Sequence, residues 1–451
     1  MRQVQQPVII GAGWSGLACA VQLVRQGFKP VILDAAPNPG GRARAVDHEL
    51  GGQRARLDNG QHLLLGAYRD TLEVMRQVGV APAGAFVQTA FAVSYPDGWR
   101  LRAARAPAPW HLALGLVGAR KMRLAERWAL ARWSRRQQRR HWHLAVDLPA
   151  AAVLADQPAA LVRRLWRPLC LAALNVELEQ ASARIFLNVL RDSLGADEPA
   201  SRLLQPRTDL SALFPEAAVR WLLANGADVR LHCPAMAVHP VPGPQCCRVR
   251  LRDGTTLAGP AVLALPPDRA AALLQDEQPA LRSTVATLRA LRFAPICTVY
   301  LRYAPATRLA QPFYALLDDA PRERYGQWVF DRGAFDPALD GILSVIVSGA
   351  GPHLALSREA LGQRVASQLG AELGLPLPRE HFTIIEKHAT LVPAPDLQRP
   401  AVELPVPGLF LAGDSADSPY PSTIEGSVRS GVRAAQALAQ GQAQMPLPLA
   451  R

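Results

Sequence analysis

The residues best placed to do chemistry begin at position 11. Gly11-Ala12-Gly13-Trp14-Ser15-Gly16 follows the short apolar run Val8-Ile9-Ile10 and precedes a helical stretch over residues 17–26, which Gly27 ends. Pro30-Val31-Ile32-Leu33 reads as the next strand, and Asp34 closes it. Strand, G-x-G-x-x-G, helix, strand and acid within one unit is the spacing that binds a dinucleotide. Gly11 permits the tight turn, Gly13 lets the backbone approach a pyrophosphate, and Gly16 lets helix and strand pack closely. The helix start offers free N–H groups and the positive end of its dipole to the phosphates. Asp34 is set to accept hydrogen bonds from a ribose diol. The spacing alone does not separate one dinucleotide from another.

Two further segments narrow the choice. Pro39-Gly40-Gly41-Arg42 follows the acid within eight positions. Near the other end, Pro407-Gly408-Leu409-Phe410-Leu411-Ala412-Gly413-Asp414 reads as turn, strand and Gly-Asp, followed by Thr423-Ile424-Glu425-Gly426 and an Ala-rich helix. Together they resemble the signatures of the flavin amine oxidase and phytoene desaturase superfamily. A weaker match lies between them: strand-like residues 228–239, Gly254-Thr255-Thr256, and Ala261-Val262-Leu263-Ala264-Leu265-Pro266-Pro267. The resemblance implies FAD, bound non-covalently. Gly11, Ala12, Gly13, Ser15, Gly16, Asp34, Ala35 and Ala235 would serve its dinucleotide half, with Gly41 and Arg42 beside the diphosphate. Gly413 and Asp414 would serve the ribityl or pyrophosphate. Thr423, Ile424 and Glu425 would open a helix aimed at the flavin edge where negative charge gathers on reduction.

Leu57-Asp58-Asn59-Gly60-Gln61-His62, followed by Leu63-Leu64-Leu65-Gly66-Ala67-Tyr68, falls where the superfamily places its flavin ring, with Gly60, Gln61 and His62 in contact. This wording, with Tyr420-Pro421-Ser422-Thr423 and Glu386-Lys387-His388-Ala389-Thr390, resembles the squalene-associated FAD-dependent desaturases, now understood as hydroxysqualene dehydroxylases of the hopanoid pathway. Ser415 departs from that pattern, where a bulky residue is expected. The resemblance implies removal of the hydroxyl of a C30 isoprenoid alcohol: an acid assists its loss, and a hydride from reduced FAD quenches the cation. His62 is the first candidate for that acid, because its ordinary pKa suits proton transfer near neutrality. A hydrogen bond to the flavin or the backbone is at least as good a reading of His62. Asp58 is the second candidate and also suits bracing the turn around Gly60; Tyr420 and Glu425 follow.

These residues must be positioned by an α/β chain: a Rossmann-type, glutathione-reductase-like FAD-binding domain with an interleaved α+β substrate domain. FAD-domain segments are expected over 1–70, 215–270 and 400–451, and substrate-domain segments over 71–214 and 271–399. The 451 residues, about half of them apolar, allow two or three domains with sizeable cores. No apolar stretch reaches bilayer length, and no apolar segment of signal-peptide type precedes the glycine motif, so a cytoplasmic location is expected. Six scattered cysteines lack CxxC spacing, so neither metal nor structural disulfide is expected.

The net charge of +13 is concentrated. Between Arg100 and Arg140 stand twelve Lys/Arg and one acid, Glu126. Leu124, Ala125, Trp128, Ala129 and Trp133 read as one apolar helical face amid the arginines. From the residues a solvated basic face and a membrane-surface contact over 110–142 read equally well, and the C30 substrate that the resemblance implies favours the membrane; nucleic acid is not expected, since no recognised nucleic-acid module is present. Rival readings are an oxidative isoprenoid or carotenoid desaturase, an amine oxidase, and a non-catalytic prenyl-binding carrier. The scarcity of lysine, with Lys387 alone in the C-terminal half, argues against the amine oxidase. The donor that reduces FAD is not legible.

Overall fold

The computed structural model describes residues 6–50, 52–242, 246–274 and 278–444. Its first layer is a five-stranded parallel sheet in the order Asp228–Arg230, Val31–Leu33, Val8–Ile10, Ala261–Leu263, Leu409–Leu411. Four of these strands are runs of three buried apolar residues, as expected for strands covered on both faces. The helices Trp14–Arg25 and Ile424–Gln444 lie against each other on this sheet. Gly431 makes their contact close: a Cβ there would stand 2.1 Å from the Ser15 carbonyl oxygen.

Residues 228–239 are not one strand. The chain breaks after Arg230, with His232 at φ +55°, and resumes as Ala235–Pro240, the first strand of an antiparallel meander with Cys247–Leu251 and Thr256–Ala258. Residues 240–242 run on from it; the rest of the 240–244 loop lies outside the described residues.

A second five-stranded sheet is antiparallel, in the order Phe313–Ala315, Trp328–Asp331, Ile342–Ser348, Phe293–Arg302, Glu380–Leu391. The helix Arg358–Leu373 covers one side of it. The hairpin Ala45–Leu50/Gln53–Asp58 joins the two bodies: Leu50 and Leu57 pack with Tyr300 and Ile342 of the second sheet. The helices between 110 and 192 complete the second body around Trp133, Trp166 and Phe186. Among the described residues, no helix is long and apolar enough to cross a membrane.

The Arg-rich helix Leu124–Arg139 corrects the expected apolar face. Glu126, Ala129, Trp133 and Gln137 point inward, and Leu124 and Trp128 point to solvent. Five residues of helix turn through 500°, so Trp128 and Trp133 cannot share a side.

Candidate functional site

The glycine loop is built as its spacing requires. Gly11 has φ +113°, and a Cβ on it would stand 2.2 Å from the Ala264 carbonyl oxygen. A Cβ on Gly16 would stand 1.9 Å from the Gly11 carbonyl oxygen. These two glycines are demanded by the protein's own packing. Gly13 is different: its nearest would-be neighbour is Gly41 Cα at 3.8 Å, and its φ of −77° suits any residue. Nothing in the polypeptide explains a glycine there, whereas a ligand laid against the loop does. The helix that follows has no side-chain cap and no acid in its first turn, and the buried Ser15 hydroxyl lacks a partner among the described residues. Uncapped N–H groups beside an unsatisfied hydroxyl fit a phosphate.

Asp34 does more than wait for a ribose. Its carboxylate accepts the Ala12 N–H at 2.6 Å and the Ala36 N–H at 2.8 Å, so it braces the loop with one lone pair of each oxygen and keeps the others free. Ala35 is exposed beside it. The Cys233 N–H reaches the Asp34 carbonyl and the His232 N–H the Ala36 carbonyl, which brings Ala235 to the same end of the site.

The Gly-Gly-Arg segment lies over this loop. The Gly40 N–H donates to the Ala12 carbonyl at 2.8 Å, and Trp14 Nε1 donates to the Ala43 carbonyl at 2.8 Å. Arg42 then departs from the role expected of it. Its Nη2 pairs with Asp414 Oδ2 at 2.7 Å, and its Nη1 reaches the Ala389 and His388 carbonyls at 3.0 and 3.2 Å. The guanidinium therefore ties three distant motifs together and orients Asp414, rather than standing free for a phosphate. Gly413, at φ +103°, has nothing within 4 Å of a would-be Cβ. Thr423 Oγ1 accepts the Gly426 N–H and caps the C-terminal helix. Ser415 is fully buried, and its hydroxyl lacks a partner among the described residues. Sequence reasoning missed Arg399, whose guanidinium reaches the Asp414, Ser418 and Tyr420 carbonyls and shapes the loop before the helix.

The Glu425 side chain has a task separate from the helix start that its main chain helps to open. Its buried carboxylate accepts the Asp70 and Thr71 N–H groups at 3.2 and 2.9 Å, the Thr71 hydroxyl at 2.6 Å and Arg429 Nε at 2.8 Å. It caps the helix Arg69–Gln77 from across the fold, and all four of its carboxylate lone pairs are engaged. The Tyr420 hydroxyl is likewise committed to Asp192.

The segment 58–62 is held from both bodies. Asp58 ends its strand almost wholly buried; Oδ1 accepts the Leu210 N–H at 2.7 Å, and Oδ2 stands 3.5 Å from Arg332 Nη2. Burial pushes its carboxyl from 3.8 up to about 6, against the lowering pull of Arg332 and the Leu210 N–H. The Tyr300 hydroxyl donates to the Asp58 carbonyl at 2.9 Å. Asn59 Nδ2 donates to the Arg42 carbonyl and to Glu386, both at 3.2 Å. Gln61 Oε1 accepts from Arg332 Nη1 and from the Ser344 hydroxyl, so this side chain is also committed. Asp58 therefore braces the segment around Gly60 by way of Leu210 and Arg332.

His62 is half-buried. Nδ1 is 2.7 Å from the Gly60 carbonyl, so Nδ1 carries the proton in the neutral ring and Nε2 is left unpartnered among the described residues. Burial lowers its pKa from 6.5, only partly offset by the Gly60 carbonyl. Leu63 and Leu65 beside it pack on an apolar cluster with Phe313, Trp328 and Phe330.

A glycine cradle, an uncapped helix start and a braced loop between two bodies define a dinucleotide-dependent flavoprotein oxidoreductase. The sequence profile described as flavin containing amine oxidoreductase matches residues 14–439. Hydroxysqualene dehydroxylase from Rhodopseudomonas palustris is 32% identical over 450 residues, 96% of this chain and 99% of its own. Hydroxysqualene dehydroxylase from Sinorhizobium fredii is 29% identical over 441 residues, 95% and 96% of the two chains. Cyclohexylamine oxidase from Brevibacterium oxydans shares the fold, with a TM-score of 0.68 at 18% identity over 98% of this chain and 100% of that one. The chain belongs to the flavin-containing amine oxidoreductase family and, within it, to the group of the hydroxysqualene dehydroxylases. It is an FAD-dependent enzyme, and the open space at Gly13 and the unsatisfied Ser15 hydroxyl fit that cofactor.

Proposed function

We propose that this enzyme reductively dehydroxylates hydroxysqualene to squalene, within squalene and hopanoid synthesis. The carrying observation is likeness along the whole chain to two hydroxysqualene dehydroxylases, at 32% and 29% identity. FAD, when bound and reduced, supplies the hydride. The C–O bond breaks with its electron pair on oxygen, a proton converts that oxygen to water, and the hydride closes the carbon. Two electrons and one further proton must come from an external reductant.

The protein's own residues have separable tasks in this scheme. Gly11–Gly16, Asp34 and Ala35 hold the dinucleotide half, while Asp414, oriented by Arg42, and the helix start at Thr423–Ile424 serve the flavin half. Leu63, Leu65, Phe313, Trp328 and Phe330 keep the reacting region dry, so that water does not capture the cation before hydride does. His62 delivers the proton. Its lowered pKa makes it neutral at rest and a strong acid once charged, so the rate should rise as pH falls below the ordinary histidine value. Asp58 is a brace. The domain division over 1–70, 215–270 and 400–451 against the remainder belongs to the same reading. So do a cytoplasmic location and membrane contact through residues 110–142.

The test is product analysis by gas chromatography after anaerobic incubation of reduced holoenzyme with hydroxysqualene. Squalene is the expected product. Its absence, together with dehydrogenation of a reduced isoprenoid in air, would replace this reading with a desaturase.

A further inference from the structure

The helix Trp110–Val117 is oriented against the usual rule. His111 and Gly115 face the protein, and Gly115 is required there, because a Cβ would stand 2.4 Å from the Arg102 carbonyl oxygen. Trp110, Ala113, Leu114 and Val117, one continuous stripe at i, i+3, i+4 and i+7, face solvent. The helix Leu124–Arg139 repeats the arrangement in its first two turns: Leu124, Ala125 and Trp128 are outside. Arg127 joins the two helices, donating to the Val117 carbonyl at 2.7 Å and to the Ala119 carbonyl. Trp110 is 62% exposed, Leu114 50%, Val117 73%, Leu124 72% and Trp128 76%, so half of the ten large exposed apolar side chains among the described residues fall in nineteen consecutive positions. Scattered exposed leucines need no explanation, but such a concentration does.

Charge says what covers the ridge. Arg102, Arg105, Arg120, Lys121, Arg123, Arg132, Arg135, Arg139 and Arg140 are exposed around it. The one acid of the stretch, Glu126, is buried and bonded to Arg123. A second copy of the same face would be repelled. An anionic surface with an apolar interior complements both features. We infer that these two helices seat the enzyme on an anionic bilayer, with Trp110, Leu114, Val117, Leu124 and Trp128 in the acyl boundary and the arginines among the headgroups. Choosing a bilayer over another acidic partner rests in part on the C30 substrate proposed above.

A cavity of about 490 Å³ opens just before the first helix, between residues 105–108 and Asp197, Glu198, Pro199 and Arg202. Its Pro199 wall lies back to back with the segment that carries His62: Gly66 is required against the Pro199 carbonyl, where a Cβ would stand at 1.8 Å, and the Ala67 N–H donates to the Ala200 carbonyl.

The test is flotation of purified holoenzyme with vesicles of phosphatidylcholine, with or without phosphatidylglycerol. Binding is expected only with phosphatidylglycerol and should weaken steeply with salt. The ridge variant Trp110→Ser/Leu114→Ser/Trp128→Ser should lose about tenfold or more of that binding with its charge unchanged. Arg132→Glu/Arg135→Glu/Arg139→Glu/Arg140→Glu should lose it as well. Both variants should turn over detergent-dispersed hydroxysqualene normally and vesicle-borne hydroxysqualene slowly. Equal binding by the ridge variant, no preference for phosphatidylglycerol, or tighter binding to DNA or to itself would each overturn the inference. If no substrate is turned over but vesicle binding follows the pattern above, the dehydroxylase reading fails and the docking surface stands.

Discussion

Replacing Arg332 with Met should destabilise the enzyme in a way that depends on pH, and the dependence can be worked out from Asp58. The folded protein raises the Asp58 carboxyl from 3.8 to about 6, so between these values the folded state binds a proton that the unfolded state has released. The carboxylate is thus a destabilising group above pH 4; its cost grows until pH 6, where it levels at about 3 kcal/mol. Met fills the space of the arginine stem but removes the countercharge, which moves the folded pKa higher still. The carboxyl then stays protonated above pH 6, so the extra cost of Arg332→Met grows with pH from there, at up to about 1.4 kcal/mol per pH unit until the raised pKa is reached. Below pH 6 a constant remainder of roughly 1–3 kcal/mol is expected, because Gln61 Oε1 loses its Arg332 partner. Arg332→Met/Asp58→Asn should keep the remainder and lose the pH-dependent part. The assay is thermal release of flavin fluorescence from wild type, single variants and the double variant across this pH range. A stability gap that does not widen with pH, or that widens equally in the double variant, would refute the assignment of Arg332 as the countercharge that holds the 58–62 segment.

Three other predictions separate the roles found in the site. Gly13→Val should fold with a wild-type melting profile as apoprotein yet purify without flavin, whereas Gly16→Ala should fail to fold soundly; flavin absorbance and circular dichroism distinguish the two. Glu425→Ala should lower stability by about 2–4 kcal/mol through loss of a four-donor cap, and should still bind FAD at low temperature; loss of flavin with unchanged stability would return Glu425 to the cofactor. His62→Ala should retain flavin and slow single turnover by roughly 100-fold or more, with the acid-side rise in rate abolished; an unchanged pH profile would remove His62 from proton delivery.

The cofactor end was legible because its rules are local. Six residues define the loop: Gly16 is required by the Gly11 carbonyl five positions earlier, Gly11 by the Ala264 carbonyl of a neighbouring segment, and Gly13 by the ligand alone. The remainder depends on contacts that no window of sequence contains. Arg332 reaches Gln61 across 271 positions, and Glu425 reaches Thr71 across 354. Arg332 follows Asp331 after a buried strand, with no local signal to distinguish it from a surface arginine. The motifs offer Arg42 and Asp414 each to a ligand, and the structure pairs them with each other. The apolar face expected over 124–133 fails for a simpler reason: Trp128 and Trp133 stand about 140° apart around the helix, and Glu126 is drawn inward by its bond to the Arg123 main chain. The second sheet places long apolar strands beside the 58–62 segment, but their pairing order follows from the tertiary fold alone.

The central claim is reductive removal of a hydroxyl with hydride from the protein-bound flavin, and a single turnover tests it most directly. Holoenzyme reduced anaerobically and mixed with hydroxysqualene should reoxidise its flavin with no oxygen present, and squalene should appear mole for mole with the flavin oxidised. Flavin that stays reduced in the presence of hydroxysqualene, or that reoxidises without forming squalene, would contradict the account.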